Sequence, residues 1–457
     1  MGDLLMLGIG LRTTQRLASA SKASGLLSGE TQGLALDFSD SYFVSATGLY
    51  GSALIIDTGT PANNYSGSPY GKLVYSPTLP KITRQADGSW KYQPHNLFLN
   101  SAAVATQTIT VVANLQYKVI ITGAGSIVLS GATSATVTDG APATFTAGST
   151  SLVCTVVGSP TTARVLRTPV ADTYVETAGA AKYTLPFEWD SSGALDGVRQ
   201  EEGRINLFLN SRVPVTQNIT TSATTYTVSF VGTGSITLSG TATGTLNGTG
   251  ANDRVSLAVV ATAGTLTCTV AGSIDFVQVE AGAVATSPII TDGTTVTRPA
   301  DSLTLPTSTF PFLHSSGSLV THFTPTDLNA TLHVIHALSD GTTANRVMHS
   351  FTTTDDIGHR LAVGGAGTVT TTSTNVLTAN AACKLGEAVT SNDYQAYVNG
   401  AATTSDATVT MPTTGITTLG IGIGPTSGGN GLNGIVRSIV YVPRRLSNAE
   451  LQSKTGA

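Results

Sequence analysis

Charge is what this 457-residue chain has least of: 11% of its residues are Asp, Glu, Lys or Arg, and the net charge is −4. A soluble domain ordinarily carries about 25%. No basic stripe is present, which removes the electrostatic footprint of a nucleic-acid binder. Aromatic residues make up 6%, with two tryptophans, and that leaves little for an extended sugar-stacking platform. The three cysteines, Cys154, Cys268 and Cys383, are too few for a disulfide framework and are expected to be small buried apolar side chains. No apolar run is long enough to span a membrane. The opening residues, Met1–Arg12 (MGDLLMLGIGLR), place an acid where an export signal needs basic residues. The chain is therefore expected to reach its destination by a route other than its own signal peptide.

Gly, Ser, Thr, Ala and Val fill the space that charge leaves. Thr and Val favour the pleated, half-buried surface of a strand, and Gly marks the turns between strands. The composition predicts an all-β protein. At this length roughly three domains are expected, each able to bury a core.

One segment is written twice. Asn96–Ser101 (NLFLNS) returns unchanged as Asn206–Ser211, 110 positions later. Gly123–Gly131 (GAGSIVLSG) answers Gly232–Gly240 (GTGSITLSG), and Leu152–Ser159 (LVCTVVGS) answers Leu266–Ser273 (LTCTVAGS). The drifting offset places insertions in loops while strands hold register. Short alternating strands with turn signals predict a sandwich or jelly roll for each copy. The expected organisation is residues 1–94 as an attachment segment with a small β region, 95–170 as repeat one and 171–205 as a connector. Repeat two follows at 206–282, then a linker at 283–301 and a last sandwich at 302–457. Leu4, Leu5, Leu7, Ile9 and Leu11 are expected to dock on a partner or on the first domain. Trp90 and Trp189 each precede a repeat and are expected to plug its base. Ser447 and Glu450 form a capping box, with Leu446 and Leu451 as its apolar staple, so a short helix closes the chain.

Three marks resemble the modular structural proteins of tailed bacteriophages, seen in tail fibres and head fibres. Leu185–Ser211 (LPFEWDSSGALDGVRQEEGRINLFLNS) is similar to that family's connector. Phe276–Asp301 (FVQVEAGAVATSPIITDGTTVTRPAD) is similar to the exit strand and linker of its jelly-roll modules, which are akin to carbohydrate-binding domains. Asp393–Gly400 (DYQAYVNG), with Gly434–Leu451, resembles the closing half of a concanavalin A/laminin-G-like sandwich. Repeat one departs from the pattern, because the segment before it lacks Glu-Glu-Gly-Arg. The resemblance implies a virion location, other virion proteins as partners, and trimerisation, although no coiled-coil heptad supports a trimer. It also implies a lectin-like domain facing host-surface glycans.

No catalytic constellation, metal motif or cofactor site is expected. Six of the seven histidines lie between His314 and His359, and His333 and His336 have a metal-like spacing. Strand alternation would send residues three apart to opposite faces. Asp355 and Asp356, near His359, fit a solvated turn. Tyr394, Tyr397 and Asn399 are the candidates for touching a glycan, although Asn399-Gly400 is also an ordinary hairpin turn. Two further readings remain open: a secreted polysaccharide-active enzyme with carbohydrate-binding modules, and a purely architectural capsid or tail decoration without receptor binding.

Overall fold

The computed structural model describes residues 34–39, 42–45, 48–49, 73–75, 77, 79–171, 173–328, 332–352, 355–412, 414–426 and 431–456. The expected docking segment at residues 1–30 lies outside them. The described chain is all-β, built of β-sandwich modules with one short C-terminal helix.

In module one, Tyr117, Val119 and Ile121 point inward while Lys118, Ile120 and Thr122 are half-exposed, the two-residue period of a strand buried on one face. Two long strands, Gln116–Gly131 and Ser151–Arg167, pair along their length and fold over together. The bend falls at the duplicated glycines. Gly125 has φ 126°, and a Cβ there would collide with the Val157 carbonyl. In module two the same hairpin is broken at the bend into Thr224–Gly232 with Ile274–Ala281 and Ser235–Gly240 with Gly264–Ala271. A four-stranded and a three-stranded sheet result, with Phe208, Phe230, Ile236, Leu266 and Val279 between them.

The duplicated motif closes each module. Asn206 donates through Nδ2 to the carbonyls of Val277 (2.9 Å) and Ile289 (2.7 Å) and accepts at Oδ1 from the N–H groups of Phe208 and Val279. Asn96 does the same with Ala163, Val175, Phe98 and Val165. Asn210 and Asn100 hold left-handed turns at φ 54° and 51°. Thus the motif ties the entering strand to the module's last strand and to the segment that leaves it.

The third unit draws strands from far outside 302–457. One sheet runs Gly48–Leu49, Tyr42–Ser45, Leu34–Asp37, Gly434–Val442, Ser316–Pro325, Cys383–Thr390, Asp393–Val398, Ala401–Asp406. The facing sheet runs Ala366–Ser373, Ile357–Val363, Arg346–Phe351, His333–Ser339, Thr418–Ile421, Leu303–Pro306, Val74–Tyr75. The connector strand Leu195–Gln200 also pairs with Gly434–Val442. The sandwich is therefore a hub: it takes in Leu34–Asp37, the described chain leaves it to build module one, touches it through the connector, leaves again for module two and returns to it from Leu303. Helix Asn448–Thr455 covers the outer face of the first sheet. Its capping box is formed, and Leu446 and Leu451 are buried against Val320, Ala388 and Tyr397.

Candidate functional site

The two sequence segments that resemble a connector and a linker meet where the modules join the hub. Glu201 accepts from the Ser287 N–H at 2.9 Å and lies 2.9 Å from Lys81 Nζ and 3.2 Å from Arg298. Asp301 pairs with Lys81, accepts a hydrogen bond from the Glu201 N–H at 2.7 Å, and accepts another from the Tyr75 hydroxyl at 3.1 Å. Glu202 binds Arg204 and exchanges two hydrogen bonds with Asn433 of the hub. All of Lys81, Glu201, Arg298 and Asp301 are buried. Burial alone would raise the Glu201 carboxyl, but Lys81, Arg298 and Arg199 outweigh it and hold it well below the usual carboxylate range. Lys81 lies upstream of repeat one, so that segment reaches the same knot without a Glu-Glu-Gly-Arg of its own.

Beside the knot lies an open cleft of about 580 Å³, between the Ile82–Tyr92 hairpin, the connector, module two and the hub. Both tryptophans line it. Trp90 packs on the apolar cluster that Ile82 and Tyr92 form with Val231, Phe276 and Ile290, its Nε1 donating to the Asn252 carbonyl of module two at 2.9 Å, and Trp189 packs against the hub core. Each is half-buried, so each plugs a junction on one side and lines the cleft on the other. Arg199 and Arg437 in the cleft are paired with Glu188 and Asp196.

A third polar cluster sits inside the hub, between its sheets. His336, His349 and His359 occupy directly paired positions on three neighbouring strands. Hydrogen bonds run Thr321 Oγ1–His336 Nδ1 (2.8 Å), His336 Nε2–His349 Nδ1 (2.8 Å), His349 Nε2–Tyr394 OH (3.0 Å), Tyr394 OH–His359 Nδ1 (2.8 Å) and His359 Nε2–Ser373 Oγ (2.7 Å). Glu387 Oε2 lies 3.3 Å from His349 Nε2. With all three protons on Nε2 the row donates in one direction, and the His349 N–H then also lies close to Glu387 Oε2. Burial pushes His336 and His359 down to about 3 and His349 well below its usual range; it raises Glu387, against the pull of His349.

His333 and His336 both face this core, contrary to the alternation expected of them. The pairing register slips between Val334 and His336, so His333 lies opposite Phe351 and His336 opposite His349, two positions away on the same face. His336, His349 and Glu387 each offer one possible ligand atom within 4.8 Å of the others. A metal would need about 2.0–2.2 Å to each. Both nitrogens of His336 and of His349 already hold partners at 2.8–3.0 Å, so an ion would have to break the row. The geometry is that of a hydrogen-bonded seam joining two sheets.

The expected glycan residues do not gather on a surface. Tyr394 is 2% exposed inside the seam, and Tyr397 is 7% exposed on the opposite face of the sheet, beneath the helix. Their strand alternates, so residues three apart diverge. Asn399 is exposed but holds the hairpin, with φ 49° and hydrogen bonds both ways to the Lys384 backbone. Asp356 likewise shapes a turn, accepting from the Asn375 N–H. Cys154, Cys268 and Cys383 are free and buried, and burial pushes their thiols up to about 12.

No family model and no curated protein matches the chain. Among solved structures it is similar to the CBM40 module of the Ruminococcus gnavus IT-sialidase bound to α2,3-sialyllactose, at 16% identity and TM-score 0.29, over 32% of this chain and 84% of that one. It is also similar to the NanB sialidase of Streptococcus pneumoniae, at 18% identity and TM-score 0.29, over 31% of this chain and 24% of that one. The leech intramolecular trans-sialidase matches at 15% identity and TM-score 0.29, over 32% of this chain and 24% of that one. The chain thus spans about a quarter of the length of those two enzymes.

Proposed function

We propose that this chain is a structural appendage of a tailed-bacteriophage virion, a fibre- or decoration-type protein that presents its modules to host-surface glycans. One observation carries the reading. The residues that make the sequence resemble phage connectors and linkers, Glu201 to Arg204 and Arg298 to Asp301, are the ones that build the buried knot. An ion cluster taken out of water and tied by several charge-assisted contacts holds its members in one arrangement, and its worth lies in orientation more than in net stability. A joint of that kind suits a particle component that must hold its modules at fixed angles.

Binding without cleavage is the chemistry proposed for the cleft. Glycoside hydrolysis needs one carboxyl group able to hold a proton beside a second that is ionised. Glu188 holds Arg199 through both carboxylate oxygens and Asp196 is ion-paired with Arg437, so these carboxyl groups are engaged with the protein itself.

Gold-labelled antibody against this protein, applied to purified particles, tests the location. Label at a head or tail appendage is expected, and particles free of label would remove the virion reading. The intact chain has to be used for any binding test, because the hub takes strands from residues 34–75 and 195–200 as well as from 303 onward.

A further inference from the structure

The cleft beside the knot has an imbalance. Two of its four arginines are paired with acids, but Arg84 and Arg254 make no ion pair among the described residues. The Arg254 guanidinium lies 5.5 Å from the centre of the Trp90 ring, donates to Ser229 Oγ at 2.9 Å, and leaves a buried Nε without a partner. Stacking on an indole compensates only part of the cost of drawing a cation out of water. Trp189 also lines the cleft, brought there by a connector 99 positions after Trp90. Ser256, Thr326 and Asn380 add hydroxyl and amide groups to the wall.

From this geometry we infer that the cleft is a binding site for a carboxylated saccharide, a sugar acid whose carboxylate is taken by Arg84 and Arg254 and whose ring lies against the tryptophans. Guanidinium groups match carboxylates through paired N–H donors, and indole faces match the C–H surface of a sugar ring. The hydroxyl and amide groups suit sugar hydroxyls. A nucleic acid or another polyphosphate fits less well: Glu188, Asp190 and Asp196 share the wall and would repel a dense anion, while a single carboxylate among hydroxyls avoids them. The inference rests on the glycan-facing role proposed above, yet the two fail separately, since particle labelling says nothing of saccharides and saccharide titration says nothing of particles.

Intrinsic fluorescence gives a direct test, because both tryptophans of the chain line this cleft. The full chain is titrated with trigalacturonate, sialyllactose and a hyaluronan tetrasaccharide, beside neutral galactotriose and lactose. At least one carboxylated saccharide is expected to shift the emission saturably and to bind about tenfold or more tighter than the neutral sugars. Arg84→Ala, on a half-exposed hairpin residue, should weaken that binding by about tenfold or more, while Lys91→Ala on the same hairpin outside the cleft should leave it unchanged. Unchanged urea midpoints in both variants keep the comparison clean. The inference is overturned if no carboxylated saccharide gives a saturable shift up to about 10 mM. Equal binding of the neutral sugars, or full binding by Arg84→Ala, overturns it as well.

Discussion

Lys81 and Asp301 lie 220 positions apart, on either side of both inserted modules, and meet in one buried ion pair. Truncating one member unbalances the buried charge of the knot, where Glu201 also reaches Lys81 and Arg298 lies near Asp301; breaking a buried pair costs about 3–5 kcal/mol. Lys81→Met and Asp301→Asn should each lower stability by about that amount in urea unfolding, and the double variant by clearly less than their sum. Additive losses would mean that the two side chains do not act as a pair.

Asn96 and Asn206 make matching sets of four hydrogen bonds in the two modules. Replacing either by Ala strands buried backbone groups, at about 1–3 kcal/mol for each group left unsatisfied. Hydrogen exchange should quicken locally in the altered module, at Phe208 and Val279 for Asn206→Ala and at Phe98 and Val165 for Asn96→Ala. Protection lost equally in both modules from one substitution would contradict the reading of two separate clasps.

The histidine seam makes the hub acid-sensitive. His336, His349 and His359 are buried in the neutral form with lowered pKa values, so below about 6.5 the unfolded chain binds protons that the folded hub does not. Stability is therefore full above the unfolded histidine value and falls as pH drops from about 6.5 towards 3, by at most about 1.4 kcal/mol per pH unit for each histidine. Glu387, raised by burial, acts in the opposite sense: as pH falls through its raised folded value, the folded form takes up a proton before the unfolded one and regains part of the loss. In module one His95 is pushed down to about 4 by burial and adds to the acid loss. Urea midpoints measured from pH 7.5 to 5 should decline, and a flat profile would show that the row is not held neutral.

Tyr394 and Tyr397 separate a structural hydroxyl from a ligand-binding one. Tyr394→Phe removes the oxygen between His349 and His359 and should cost about 1–3 kcal/mol, with saccharide binding intact. Tyr397→Phe keeps the ring that packs under the helix and should stay within about 0.5 kcal/mol. Loss of saccharide binding in either variant, without loss of fold, would restore these residues as ligand contacts.

Much of this was legible in local sequence. The closing helix announces itself through Ser447, Glu450, Leu446 and Leu451, whose interactions span a few residues. The duplicated motif marks where each module is clasped, because its hydrogen bonds depend on an asparagine at one fixed place. Alternation shows which side chains share a face but not which strand lies alongside. For that reason the pairing of Leu34–Asp37 with Ser438–Tyr441 was hidden, and so was the row of three histidines, which exists only through register across strands. The slip at Ile335 defeated the argument from alternation about His333 and His336, since one extra residue reverses the face of all that follow. The cleft was hidden for the same reason: Trp90 and Trp189 are distant in sequence and converge only after three units have docked.

The chain departs from the hub's seven-stranded sheet just after Tyr75 and resumes in that sheet at Leu303, and these two residues are partners in adjacent antiparallel strands. Apart from the connector, whose strand Leu195–Gln200 rejoins the hub on Gly434–Val442, everything between them is suspended from neighbouring points of one sheet. A recombination event that added or removed a whole module with its clasp would leave both points where they are. Copy number in such a protein can drift without a new scaffold having to evolve, and the doubled Asn-Leu-Phe-Leu-Asn-Ser reads as the scar of one such event.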